Sequence, residues 1–485
     1  MKRIPNNKIL RIALPVLVLV WTLFKYCYPY ANFFTDSYTY IQAAADHELI
    51  SYRPIGYSVF LNGVHSLSAS DTFLVTIQYG LIQSACGYLF FSLRRRLCLS
   101  VRTEWFLLAF LLLDPLILYV SNCVSADALF IGLSLVWMVE LMELAYRPSW
   151  RRMVIQLILL ALIFFIRYNA LYYPVVAAFA FLWAPKNLVF RLTGIIGSIL
   201  IVVAGTIFTK EITRIQTGAP VFSAFSGWQM ANNALHVVPY VPTETTGIYQ
   251  DTTALPSPEC RELAALVRQY FDSAGPSLRK NAPAVTTSYM WVKSSPLRQY
   301  LDIYKKRNNL PYFTAWNRVS TVFTQYGYYL VRRHPLAFIR YYCWPGAKEF
   351  FVPPLGVLEQ YNDGIKEVDP IAQKWFHYKT RQPTVCSSTI QASILRPFTW
   401  LYGFINGAFV IVALLFLRDK GLRARNPAFT AGFALITVFF LANTGFSILA
   451  SPNEFRYQVL PLILLFMFTF GGISVWKAHR RSRIG

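Results

Sequence analysis

Several ionisable side chains lie at the ends of long apolar runs, where charged groups are rare. Asp36 follows the first run, Asp127 begins the fourth, Arg167 ends the fifth, and Glu454 and Arg456 begin the tenth. Ionisable residues at membrane depth tend to be functional, although each one alone could be a solvated residue at the membrane surface. A carboxylate can accept a proton from an attacking hydroxyl, and a guanidinium can bind an anion through paired hydrogen bonds. We expect such chemistry if the chain brings these residues to one face.

The composition shows which kind of protein must position them. Of 485 residues, 55% are hydrophobic and only 14% are charged, which is more apolar surface than one soluble core can bury. The formal charge of +23 could indicate a nucleic-acid partner, but the basic residues form short clusters between apolar runs. This pattern is typical of membrane topology, so we expect membrane lipid and no nucleic acid as a partner.

Apolar windows of roughly 17–22 residues, long enough to cross about 30 Å of hydrocarbon, predict an all-α polytopic protein with about ten transmembrane helices. The first run follows a basic start and lacks a small-residue cleavage site, so we interpret it as an uncleaved anchor. The fifth and sixth windows are short and nearly continuous. The windows are 9–28, 73–93, 104–121, 126–145, 153–167, 171–185, 191–209, 397–417, 427–448 and 457–476.

A long polar and aromatic stretch without a clear span separates the seventh and eighth windows. We therefore divide the chain into an N-terminal membrane domain (1–209) with a first outer loop (29–72), a mostly helical outer domain (210–396), and C-terminal membrane helices with a basic cytoplasmic tail (397–485).

The distribution of Lys and Arg predicts the orientation, because cytoplasmic loops retain these residues. Loops and ends on one side carry 21 of them, whereas the opposite short loops carry only Arg53, Arg167 and Arg456. This predicts a multi-pass protein of the cell (inner) membrane with both termini cytoplasmic and the large domain periplasmic or otherwise extracytoplasmic. All the ionisable residues described above then lie at the outer face.

The first outer loop contains Asp36 within Phe-Thr-Asp-Ser-Tyr (34–38) and Arg53 within Tyr-Arg-Pro-Ile-Gly-Tyr (52–57). It resembles the loop after the first span in the GT-C superfamily of polytopic glycosyltransferases. The resemblance is nearest to the protein O-mannosyltransferase-like branch, which includes the bacterial lipid A aminoarabinose transferase.

Three later segments strengthen this resemblance: Ser-Ala-Asp-Ala (125–128), Ile-Arg-Tyr-Asn-Ala (166–170) and Pro-Asn-Glu-Phe-Arg-Tyr (452–457). Together the similar parts cover about 8–210 and 397–476. The mannosyltransferases proper carry two adjacent acids in the first loop, whereas Ser37 follows Asp36 here. The specific sugar and acceptor are therefore not carried over.

The resemblance implies an inverting hexosyl- or pentosyltransferase. It would move a monosaccharide from a polyprenyl-phosphate donor to a hydroxyl of a lipid, glycan or protein acceptor on the outer face. Asp36 would be the catalytic base, and partial burial at the membrane edge would raise its pKa and make it a better base. The residues expected to bind donor phosphate or acceptor are Arg456, Arg167, Arg53, Asp127, Glu454 and Tyr57.

Other interpretations of these residues stay open. Asp127 could be an acidic residue favoured at the start of a helix by the helix dipole, and Glu454 could cap a helix. Arg53-Pro54 could simply mark the start of a helix, since proline suits the first turn. Trp228 could stack on a sugar or anchor the chain at the membrane interface. The aromatic and basic stretch 326–342 suits a surface helix on anionic lipid.

The sequence does not support a cofactor. The histidines lack metal-ligand spacing and no DxD triad occurs, so we expect no divalent metal. The scattered cysteines allow one disulfide among Cys260, Cys343 and Cys386. Two other functions remain: a glycan polymerase resembling the O-antigen polymerases, and a transporter or flippase, although the paired halves typical of transporters are not evident.

Overall fold

The computed structural model describes residues 5–97, 99–241, 255–274, 286–450 and 453–484. Lys2 and Arg3, which are among the 21 basic residues counted on one side, and Pro452, which begins the segment 452–457, lie outside these ranges. Regular structure in the described residues is helical, and their one β contact is an isolated parallel bridge between Asn32 and Cys123. The prediction of a helical membrane protein is therefore confirmed at this level.

The first part of the chain forms a bundle with two short helices after the first long one. In chain order its helices are α1 (Asn6–Cys27), α2 (Thr35–Ala45), α3 (Gly56–His65), α4 (Asp71–Arg96), α5 (Val101–Leu113), α6 (Pro115–Ser121), α7 (Ala126–Tyr146), α8 (Trp150–Ile166), α9 (Tyr173–Trp183) and α10 (Leu188–Thr217).

The middle part forms shorter helices, and long helices return at the end. The middle helices are α11 (Ser226–Leu235), α12 (Pro258–Ala274), α13 (Ser288–Trp291), α14 (Pro296–Asn308), α15 (Tyr312–Arg333), α16 (Pro335–Phe338), α17 (Trp344–Phe351) and α18 (Pro370–Phe376). The last helices are α19 (Ile390–Arg418), α20 (Lys420–Arg425), α21 (Pro427–Ala450) and α22 (Val459–Ile484).

Within the described ranges, eight helical stretches are long and apolar enough to cross a membrane. The windows predicted as the fifth and sixth spans correspond to α8 and α9, which have 17 and 11 residues. At 1.5 Å per residue, α9 is only about 16 Å long, against about 30 Å of hydrocarbon. If neither α8 nor α9 crosses, the number of spans falls by two. The predicted sidedness of the other helices is therefore unchanged.

Helix α7 lies at the centre of the bundle and is almost wholly buried. It packs against α4, α8, α9 and α21, and its sequence is apolar on every side, as expected of a helix surrounded by others. Ser125 caps its first turn by accepting the Asp127 N–H at 3.4 Å. Asp127, one of the candidate site residues, therefore lies in the first turn of the central helix.

The middle part of the chain has a core of its own, in which α11 packs against α15. Trp228 lies fully buried in this core, stacked on Trp316 at 3.8 Å between ring centroids. Its indole N–H donates to the Trp316 carbonyl oxygen at 3.1 Å. Both hypotheses for Trp228, sugar stacking and membrane anchoring, are therefore wrong. Tyr326, expected on a lipid-facing helix, is also fully buried.

The segment 352–389 packs instead on the first loop of the membrane part. The Tyr361 hydroxyl donates to the Ala31 carbonyl oxygen at 2.7 Å, and the Asn362 N–H donates to Asn32 Oδ1 at 2.7 Å. Both long helices that flank the predicted outer domain run past its bounds, since α10 continues to Thr217 and α19 begins at Ile390. The segment 352–389 therefore forms a cover over the loop that contains Asp36.

Candidate functional site

Asp36 lies in the first turn of α2, where the helix dipole favours a carboxylate. The neighbouring Ser37 is fully buried, and its hydroxyl oxygen accepts the Phe34 N–H at 3.1 Å. The Ser37 side chain therefore closes the start of the helix.

Arg53 lies in the loop between α2 and α3 and forms an ion pair with Asp36 Oδ1. This loop leads into Gly56, which lies against the end of α8. A Cβ added to Gly56 would lie only 2.6 Å from the Phe165 carbonyl oxygen, so this close approach requires a glycine. The guanidinium also stacks over Phe225, 4.5 Å from the ring centroid. Its Nε is buried and has no hydrogen-bond partner among the described residues.

Asp127 and Arg167 meet at the ends of two neighbouring helices. Arg167 follows the last residue of α8, and its Nη1 is paired with Asp127 Oδ1. Asp127 Oδ2 also accepts the Ser125 hydroxyl at 2.9 Å. Asp127 thus orients an arginine in addition to lying at a helix start.

Arg456 connects the two carboxylates. Its Nη1 lies 3.4 Å from Asp36 Oδ2 and 3.5 Å from Asp127 Oδ2. Its Nε donates to Glu454 Oε2 at 2.7 Å, and its Nη2 donates to the Tyr457 hydroxyl at 2.7 Å. The Arg456 side chain is 7% exposed. Glu454 therefore holds Arg456, and no hydrogen bond from its side chain to the helix start is seen.

Six of the seven residues predicted for the site form one connected group, which we call the carboxylate–arginine cluster: Asp36, Arg53, Asp127, Arg167, Glu454 and Arg456. Along it the ion pairs run Arg53–Asp36–Arg456–Asp127–Arg167, with Glu454 on Arg456. Three arginines balance three carboxylates, as buried charges require. The residues are up to 420 positions apart in the chain, so the fold assembles the cluster.

Tyr57, the seventh predicted residue, lies beside this group. Its side chain is fully buried, its ring packs edge-on against Tyr40 at 4.8 Å, and its hydroxyl donates to Gln78 Oε1 at 2.7 Å. The structure gives Tyr57 a packing role under the first loop.

The electrostatics of Asp36 differ from the expectation. Burial raises the pKa of its carboxyl, but Arg53, Arg456 and Arg167 together outweigh burial and hold the pKa below its usual value. The predicted raised pKa of Asp36 is therefore wrong. Burial lowers the pKa of the Arg53 guanidinium, but Asp36 more than compensates and raises it. Both groups are charged at neutral pH.

Three further residues that the sequence did not indicate lie next to the cluster. The Tyr457 hydroxyl accepts from Arg456, and the Phe34 ring stacks on Arg456 at 4.6 Å. Both lie within motifs that had been noted, so adjacency was an available signal. Asp363 comes from the covering segment, where burial and then the nearby Glu454 raise its pKa. Nothing in its local sequence indicates this position.

A shallow groove with only about 10 Å³ of enclosed space lies beside Arg53. Its walls are mostly apolar and include Leu49, Phe165, Phe208 and Ile212. Phe208 belongs to α10 and is half exposed on the bundle surface. Arg53 therefore belongs to the cluster and also lines a mostly apolar groove at the bundle surface.

Over the ranges that the structure describes, no group of three or more His, Cys, Asp or Glu side chains has the geometry to hold a metal ion. No protein-family model matches the chain, and no match was found among curated proteins or solved structures.

Proposed function

We propose that this chain is a membrane glycosyltransferase that moves a monosaccharide from a polyprenyl-phosphate donor to a hydroxyl of a lipid, glycan or protein acceptor. The transfer takes place on the outer face and inverts the anomeric centre. The observation that carries the proposal is the carboxylate–arginine cluster, in which a helix-start carboxylate is flanked by fixed guanidinium groups at one end of the bundle. The motif resemblance supplies the substrate class.

The reaction needs a base and an anion site. The acceptor oxygen attacks the anomeric carbon, its proton passes to Asp36, and the bond between that carbon and the phosphate oxygen breaks. The leaving polyprenyl phosphate gains negative charge, which guanidinium groups stabilise through charge-assisted hydrogen bonds. Arg53 and Arg456 both contact Asp36, so base and anion site lie within one hydrogen-bonded group.

Both Asp36 oxygens are engaged, Oδ1 by Arg53 and Oδ2 by Arg456. Arg53 is the more exposed of the two arginines, at 27% against 7%. A donor phosphate that binds Arg53 competes with Asp36 Oδ1 for the same guanidinium. Donor binding therefore frees one carboxylate oxygen and makes Asp36 a stronger base, so the low resting pKa is compatible with catalysis.

The groove beside Arg53 suits the lipid part of this donor. Isoprenoid chains are apolar, and the groove walls are apolar side chains next to a cation. Phosphate bound at Arg53 would place the first isoprene units against Phe165 and Phe208. The donor then reaches the cluster from the bilayer without its chain crossing water.

The pH dependence of transfer should respond to Arg53. Replacing Arg53 by Gln removes the positive charge that lowers the Asp36 pKa the most. The Asp36 pKa then rises, so the acidic limb of kcat/KM against pH should move to higher pH. Loss of charge-assisted bonds to the phosphate should raise the donor KM roughly 10- to 100-fold. Arg53→Lys keeps the charge and should leave the limb close to that of wild type. An unchanged limb in Arg53→Gln would mean that Asp36 is not the titrating base.

The function itself is tested in cells. Wild type and Asp36→Asn are expressed to equal membrane levels, and membrane lipids and glycans are compared by mass spectrometry. We expect wild type to add a mass of one sugar residue to an envelope component and Asp36→Asn to lack that product. The same addition in both strains would exclude Asp36 as the base, and no addition by wild type would favour transport over transfer.

A further inference from the structure

Two cysteines that are far apart in the chain meet above the first span. Cys27 is the last residue of α1, and Cys386 lies shortly before α19. The Cys386 N–H donates to the Cys27 carbonyl oxygen at 3.0 Å, and the two free thiols are close neighbours. Cys386 is exposed and Cys27 is partly buried.

We propose that Cys27 and Cys386 form a disulfide that ties the covering segment 352–389 to the end of the first span. The hydrogen bond from the Cys386 N–H to the Cys27 carbonyl oxygen brings the two backbones into direct contact at these residues. A disulfide requires a Cα separation of about 4.4–6.8 Å. The backbone contact and the closeness of the two thiols therefore both favour the bond.

The surroundings support this pairing over the bridge suggested from the sequence. Cys260 is fully buried in the core of the middle part, where its thiol points to the Val322 carbonyl oxygen at 3.7 Å. Cys343 is partly buried in the π-helical turn Ile339–Cys343. Within the described ranges, the cysteine that contacts Cys386 is thus the one at the end of α1.

The compartment also favours oxidation. With the predicted orientation, the end of α1 faces outward, and disulfides persist in the periplasm and at cell surfaces. In the reaction the two thiols lose two protons and two electrons as their sulfur–sulfur bond forms. The oxidant is the disulfide of an extracytoplasmic thiol–disulfide oxidoreductase, whose sulfur–sulfur bond breaks to give two thiols. The exposed Cys386 thiolate attacks this disulfide first, and the Cys27 thiolate then attacks the Cys386 sulfur of the mixed disulfide and releases the reduced oxidoreductase.

The bond would reinforce contacts that already hold the cover on the first loop. Tyr361 and Asn362 of the cover bind Ala31 and Asn32. Tyr378, also in the cover, donates to Asp71 Oδ2 at 2.7 Å. Each contact lies near the loop that presents Asp36, so the disulfide would fix the cover over the site.

The test uses the full-length protein in membranes. Free thiols are blocked with N-ethylmaleimide, the protein is digested without reductant, and linked peptides are identified by mass spectrometry. We expect a peptide containing Cys27 joined to one containing Cys386, two fewer blocked thiols than in reduced protein, and loss of the linked species in Cys386→Ser. Cys343→Ser, a matched change in the same part of the chain, should keep the linked species.

A stability readout separates a bond from mere proximity. Reductant should lower the melting temperature of wild type and of Cys343→Ser but leave that of Cys386→Ser unchanged. The proposal is overturned if wild-type Cys27 and Cys386 are both blocked by N-ethylmaleimide, or if Cys386 is linked to another cysteine. The linked peptides and the melting temperatures do not depend on transfer activity. They therefore test the disulfide independently of the proposed function.

Discussion

Replacing Asp36 by Asn should lower the rate of sugar transfer by about 10³-fold, because a positioned base contributes roughly 10²- to 10⁴-fold. Asparagine has nearly the same shape as aspartate, and it retains one oxygen that can accept from an arginine. It cannot take up the proton of the acceptor hydroxyl. The measurement is the initial rate of transfer from a lipid-linked donor by purified protein in vesicles.

The matched control is Asp46→Asn, at the other end of the same helix, where the side chain is exposed. It makes the same chemical change outside the cluster and should retain at least half of the wild-type rate. Melting temperatures show whether each variant is folded. A folded Asp36→Asn protein with more than a tenth of the wild-type rate would show that another group accepts the proton.

Replacing Arg456 by Gln should have the largest effect on stability. This guanidinium contacts Asp36, Asp127 and Glu454 and is almost fully buried. Removing one partner of a buried ion pair costs about 3–5 kcal/mol, because the remaining charges are left uncompensated. We expect a loss of that size in the free energy of unfolding, measured by reversible denaturation in mixed micelles, together with loss of transfer.

Two further variants distinguish this mechanism from a general effect of losing an arginine. Arg381→Gln breaks an exposed pair with Glu367 and should cost less than about 1 kcal/mol. Arg456→Gln combined with Glu454→Gln removes one of the orphaned carboxylates and should recover part of the lost stability. A double variant no more stable than Arg456→Gln alone would contradict the role assigned to Glu454.

Lysine should not replace Arg456. The arginine uses Nε, Nη1 and Nη2 in different directions, toward Glu454, toward the two aspartates and toward Tyr457. A lysine has one ammonium group and cannot reproduce this planar fork.

Hydropathy was sufficient to predict most of the fold. The windows matched long helices because spanning segments must be continuously apolar. The exceptions are α8 and α9, where the apolar runs are short and the helices have only 17 and 11 residues. The middle part was harder to predict, because its pairing depends on tertiary packing. Trp228 is an example: an aromatic residue in a polar stretch suggested a surface, but α15 buries it.

The site could be predicted in part for a simple reason. Its charged residues all lie near span ends that the Lys and Arg distribution assigns to one side, so their proximity followed from topology alone. Which carboxylate pairs with which arginine did not follow, because the partners are separated by up to 420 positions. The predicted direction of the Asp36 pKa shift was wrong for the same reason. The burial of Asp36 can be inferred from its own segment, but the proximity of three arginines from other segments cannot.

The most direct measurement of the proposed function uses sealed vesicles of known orientation, supplied with a short-chain polyprenyl-phosphate sugar that does not cross the bilayer. Vesicles that expose the outer face should transfer the sugar to a membrane acceptor and release polyprenyl phosphate without any nucleotide sugar. Inverted vesicles should do so only after permeabilisation. Transfer that requires a nucleotide sugar, or that occurs only on the cytoplasmic face, would contradict the assignment of the carboxylate–arginine cluster as an outer-face transferase site.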